Sequence, residues 1–235
     1  MRYIFLLLII PSCCYAQKKD SFNTVIIKIN ATSVLDIFTF PIVAVSAENQ
    51  ISKSVSVSGE IGYQLYSFYQ PDTVFIHPSG FKAMMQVRKY FSASNDILDN
   101  FGLDKHHGDN LTGFYTGLSL FYRQNKDNLS LDYMRNEDST NYTDCFTGSK
   151  KIVGADLLLG LQIYTSRCLF LDFYAGAGLM YRYSKNLYRE PNTKADALNT
   201  GPDMNIQSLV IQSYFNETNG VKGTVTLGMR VGIKI

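Results

Sequence analysis

From residue 153 to residue 164 the chain reads Val-Gly-Ala-Asp-Leu-Leu-Leu-Gly-Leu-Gln-Ile-Tyr, and every second side chain is apolar. The same period of two runs through Leu171–Tyr183, Thr224–Ile235 and Ser54–Tyr66. Successive side chains on an extended strand point to opposite faces, so this alternation specifies β-structure with two chemically distinct faces. Weaker versions occupy Thr24–Val34, Ile42–Gln50, Phe81–Phe91 and Thr112–Gln124, which makes eight expected strands. Turn-rich pieces lie between them, Gln70–Gly80, Asn125–Lys150 and Lys185–Gly220, and the connection Ser92–Leu111 is long where the barrel layout expects a short turn. The prolines beyond residue 16 fall in such pieces or at a strand start (Pro41), as a residue without a ladder donor should. The expected fold class is all-β, an eight-stranded antiparallel up-and-down barrel, in one domain over residues 17–235.

The first sixteen residues have a different character. Met1–Ala16 places Arg2 ahead of an apolar run and small residues before Ala16, the layout of a secretory signal peptide. Cleavage is expected after Ala16; processing at Cys13 as a lipoprotein is the rival. No later stretch is long and apolar enough for a membrane helix. A net charge of +2 lacks the basic excess of a nucleic-acid binder, so no nucleic-acid partner is expected. Cys145 and Cys168 make no metal pattern and are read as free thiols.

Alternation does not say which face is buried. The polar faces carry few charges for a solvated surface and many small residues, among them Gly62, Gly117, Gly154, Gly160, Gly176, Gly178, Gly228 and Gly232. A soluble barrel would show more Lys and Glu there. Glycine and tyrosine suit the crowded inside of a narrow barrel, and long loops alternating with tight turns suit a membrane barrel. The polar side chains are therefore assigned to the lumen, and Leu157, Leu159, Leu161, Phe173, Leu179, Leu227 and Val231 to lipid.

Three segments, LFLDFYAGAGLMYRY, TVTLGMRVGIKI, and FKAMMQVRKYF with GFYTGLSLFYR, resemble Bacteroidota outer-membrane β-barrel families of OmpA/OmpX size. The resemblance implies residence in the bacterial outer membrane with no peptidoglycan-binding domain, outer-membrane lipid as surroundings, and a structural or surface-interaction role. Segments 125–150 and 185–220 would then be the external loops open to an extracellular partner.

Candidate chemistry is sparse. His77, His106 and His107 lie in expected loops and form no fixed metal or catalytic set, so no metal, cofactor or catalytic residue is expected. The most distinctive constellation is Glu48, Glu60, Asp156 and Asp172 with Arg88, Arg123, Arg182 and Arg230, all on polar faces. Charges inside a narrow lumen must pair, because an isolated buried ion is very costly. The expected pairs are Asp156–Arg182 and Asp172–Arg230. Aromatic girdles are expected from Tyr63, Tyr66, Phe114, Tyr122, Tyr164, Tyr181 and Tyr183. The alternatives are a secreted or periplasmic calycin-like barrel holding a small apolar ligand, and an outer-membrane enzyme that modifies lipid A.

Overall fold

The computed structural model describes residues 25–34, 42–64, 75–91, 111–135, 140–165, 168–188, 197–198 and 219–235. The expected signal peptide, the 92–110 connection, Tyr66, His106, His107 and most of 189–218 lie outside the described residues. The elements are β1 (Val25–Asn30), α1 (Ala31–Val34), β2 (Ile42–Ser52), β3 (Val55–Gln64), β4 (Phe75–Tyr90), β5 (Gly113–Arg135), β6 (Thr140–Tyr164), β7 (Leu169–Leu187), β8 (Ala197–Leu198) and β9 (Gly220–Lys234).

Each long strand pairs antiparallel with the next, and β9 pairs with both β7 and β1, closing an eight-strand ring. Ile235 N–H donates to Val25 O at 3.0 Å and fastens the seam at the chain end. The two-residue β8 lies outside the ring, against Tyr133 and Met134 of β5. One hydrogen-bonded row runs from Lys28 through Ser46, Glu60, Met84, Phe121, Gly154 and Met180 to Lys222. Because Ile26 pairs with Lys234 and Asn30 with Arg230, Lys222 falls level with position 38, ten residues beyond Lys28. That stagger over eight strands tilts them by about 40° and leaves a lumen that side chains fill.

The end bearing Val25, Ile235 and the short β2–β3 and β6–β7 connections is here the turn end. At the opposite end β5 and β6 continue as a paired ribbon, from Gly113↔Gln162 through Arg135↔Thr140. This corrects the expected loop 125–150, of which only 136–139 lies outside the two strands. Both faces of the ribbon are polar or mixed (Ser130, Asp132, Thr143, Asp144), so it carries no amphipathic signal. Two smaller corrections concern β4 and β1. Pro78 lies inside β4, at a register shift between Ile76 and Ser79, where an irregularity tolerates a missing donor. β1 stops at Asn30 and turns into α1, where Thr32 Oγ1 accepts from Met229 N–H at 3.1 Å.

The two faces are inverted relative to a soluble protein. Leu157, Leu159, Leu227 and Val225 point outward at 70, 69, 74 and 79% exposure. Arg88, Arg230, Glu48 and Asp172 are buried completely. Phe91, Phe114 and Phe173 ring the exposed apolar belt toward the turn end, and Tyr63, Phe81, Tyr122, Tyr181 and Tyr183 ring it toward the ribbon. The eight residues from Phe114 to Tyr122, or ten from Phe173 to Tyr183, set a belt about 20–25 Å tall. Tyr164 is not part of a girdle. It shares the inward face with Gln162 and packs tilted against Phe170, ring centroids 3.9 Å apart, beside the core of Ile26, Tyr90, Leu111, Tyr115, Leu158 and Tyr174.

Candidate functional site: a charge network across the lumen

Six strands supply the ions at the centre of the barrel. β1 contributes Lys28, β2 Glu48, β3 Glu60, β4 Arg88, β7 Asp172 and β9 Arg230, each on the inward parity of its strand. Lys28 Nζ donates to Glu48 Oε2 at 2.5 Å, Gln162 Oε1 at 2.5 Å and Asp172 Oδ2 at 2.9 Å. Arg88 Nη1 donates to Asp172 Oδ2 at 2.9 Å and Glu48 Oε2 at 3.2 Å. Its Nη2 and Nε both reach Gln86 Oε1, at 2.6 and 3.1 Å. Arg230 Nε donates to Glu60 Oε2 at 2.9 Å, and Lys82 Nζ holds the other Glu60 oxygen at 2.8 Å.

Hydroxyls and rings complete the set. Tyr115 OH donates to Asp172 Oδ1 at 2.7 Å, Tyr90 OH to Glu48 Oε1 at 2.6 Å, and Ser56 Oγ also bonds Glu48 Oε1. The Arg88 guanidinium lies 4.6 Å from the Tyr115 ring centroid and that of Arg230 lies 4.1 Å from Tyr174. These rings need room in the wall. A Cβ at Gly160 would collide with the Tyr115 ring, and one at Gly228 with the Tyr174 ring. Three carboxylates thus meet three wholly buried cations in a filled cross-section, where the attraction offsets desolvation only because nearly every lone pair is used.

Of the residues singled out in the sequence, Glu48, Glu60, Arg88, Asp172 and Arg230 meet in this network, while Asp156, Arg123 and Arg182 stand outside it. The expected Asp156–Arg182 pair is corrected by the register. Asp156 lies opposite Gly178, whereas Arg182 lies opposite Ile152. Because β6 begins at Thr140, Asp156 sits near mid-strand and not at its top; its Oδ2 accepts from Thr226 Oγ1 at 2.8 Å. Asp172 and Arg230 do face each other in register, at 3.5 Å. Their shorter contacts are to other partners, Glu60 for Arg230 and Lys28 and Arg88 for Asp172.

Gln86, Tyr90, Tyr115 and Gln162 also belong to the site, uncharged residues that charge pairing alone does not mark. Lys28 is legible from the sequence as a polar-face charge, sharing one face of β1 with Ile26 and Asn30, but stands outside the expected constellation. On the outside, Leu157, Leu159, Phe173, Leu179 and Leu227 are exposed, and Leu161 and Val231 are half-buried on the same face.

No protein-family model matches the chain, and no curated protein matches it either. Among solved structures, the crystal structure of Neisserial surface protein A (NspA) aligns over 93% of this chain and 100% of its own, at 13% identity and a TM-score of 0.32.

Proposed function

We propose that this chain is an outer-membrane β-barrel with a structural or surface-interaction role, of the small Bacteroidota kind its sequence resembles. The observation that carries the reading is the inverted polarity of the wall: ions and amides inside, an apolar belt outside. In water a continuous apolar belt would be an aggregation surface, whereas a bilayer requires one about 25 Å tall with aromatic borders. A barrel also satisfies every backbone group within its ring, which is the condition for strands to cross lipid.

The lumen in this reading is a plug, not a pore or an active site. Glu48, Glu60 and Asp172 are each engaged by cations within 3.5 Å, so none is disposed as a general acid or base for an approaching substrate. Among the described residues the same filling leaves no apolar ligand chamber at this level, which argues against the calycin-like alternative. Residues 1–16 would direct export, and the ribbon 125–150 with segment 185–220 would face the exterior and meet any partner. The test is heat-modifiable gel mobility in isolated outer membranes. Migration that shifts on boiling supports a folded membrane barrel. Recovery of the protein in the soluble fraction contradicts it.

A further inference from the structure

On the outer wall, in the half of the belt nearer the turn end, two rows of outward side chains part to leave a groove of about 770 Å³. The lower rim crosses the strands from Phe91 through Phe114, Leu161 and Phe173 to Met229. The upper rim runs beside it from Lys89 through Thr116, Leu159 and Ala175 to Leu227. The residues between the rims face inward, and two of them, Gly160 and Gly228, have no side chain. The glycines that admit the Tyr115 and Tyr174 rings to the lumen therefore also thin the wall under the groove. Ala175, small between Leu159 and Leu227, notches the upper rim, and Thr32 of α1 stands at the β9 end.

The inclination of the groove decides what fits it. From β4 through β5, β6, β7 and β9 to α1 there are five steps of about 4.8 Å, or about 24 Å in all. Because the strands tilt by about 40°, a row perpendicular to them climbs toward the ribbon from β4 to β9, by about 15 Å over that length. Half of a hydrocarbon core of about 30 Å has the same height. The volume also falls in the range of about 300–1,000 Å³ usual for a site that holds a small organic ligand.

We propose that the groove holds one acyl chain of a glycerophospholipid from the turn-end leaflet, with the lipid phosphate beside Lys89 and the chain tail toward Thr32. The inference rests on the membrane reading above. The low end of the groove lies at the aromatic border, between Phe91 and the exposed Lys89, and the high end lies near mid-belt at Leu227. The stem of Lys89 can follow the apolar wall and bring its charge to the interface, where a phosphate sits. A second copy of the chain suits this surface poorly. Docked about a twofold axis, it would set groove against groove and leave the volume empty.

The test is native mass spectrometry of the full chain, folded in detergent micelles and titrated with dipalmitoyl phosphatidylglycerol. One saturable lipid per chain is expected. Ala175→Phe, which fills the notch from an exposed position, should weaken binding at least tenfold. Lys89→Gln should weaken it about fivefold, the worth of one lysine near an anionic surface. Ala83→Phe, on the outward face of β4 but six residues from Lys89, should leave it unchanged. Unsaturable uptake, or equal binding in the wild type and Ala175→Phe, overturns the proposal. Glycerol phosphate should not compete; if it does, the cation rather than the groove is the site, and the proposal fails. A dimer that Ala175→Phe dissolves, with no lipid retained, would make a second copy the occupant and overturn it too. Heat-modifiable mobility of each variant reports the barrel separately. A barrel that shifts on boiling yet retains no lipid contradicts this inference and leaves the membrane reading standing.

Discussion

Lys28 Nζ and Asp172 Oδ2 lie 2.9 Å apart with neither side chain exposed, although 144 residues separate them in the chain. β9 runs between their strands, so the bond spans the seam at which the ring closes. It ties the six-residue β1 to a nineteen-residue neighbour-but-one.

Removing the acid at this junction should be severe. Asp172→Asn leaves Lys28, Arg88 and Arg230 with one fewer counter-charge, and should cost about 3–5 kcal/mol in denaturant unfolding from detergent or lipid. Glu60→Gln should cost less, because its second cation, Lys82, keeps 19% exposure and can turn toward water. In a double-mutant cycle, Lys28→Met with Glu48→Gln should cost less than the two single changes added together, since the pair leaves no orphaned ion. Additivity would mean the network is not coupled.

The outer face gives the opposite expectation. Leu159→Arg should cost about 2–4 kcal/mol if the residue sits near a bilayer midplane. The same change at a position 69% exposed to water would be nearly neutral. Refolding yield into vesicles, followed by unfolding, separates these outcomes.

Gly228→Ala should destabilise by about 1–3 kcal/mol, because the new methyl collides with the Tyr174 ring that Arg230 stacks on. Gly59→Ala and Gly223→Ala, with nothing within 4 Å of the added carbon, should be tolerated. Equal effects at all three would show that strand propensity, not ring packing, decides.

The strands are legible where one face is apolar and the other polar, as in Val153–Tyr164, and illegible where both faces are polar or mixed. Nothing in Ser130, Asp132 or Thr143 distinguishes a ribbon from a loop. That error propagated into the site. A β6 beginning at Val153 would set Asp156 level with Arg182, whereas the register sets them four rows apart. The polarity of the faces could be read from glycine and tyrosine content, but Lys28 bonding Asp172 across β9 depends on the stagger of the ring, which no local pattern encodes.

Two thiols among the described residues report the topology. Cys145 is exposed on the ribbon and Cys168 half-buried beside the β6–β7 turn. A membrane-impermeant maleimide added to intact cells should label Cys145, and Cys145→Ser should abolish the signal. Labelling that requires permeabilised cells would place the ribbon inside.

The most direct measurement compares two adjacent residues. Leu157 is 70% exposed on the outer face and Leu158 is 1% exposed in the lumen. Methyl NMR of the barrel in bilayers carrying a nitroxide on the acyl chain should broaden Leu157, along with Leu159 and Leu227, and leave Leu158 and Ile26 sharp. Sharp Leu157 and Leu227 methyls, with the protein free in the aqueous phase, would contradict a membrane barrel with a charged interior.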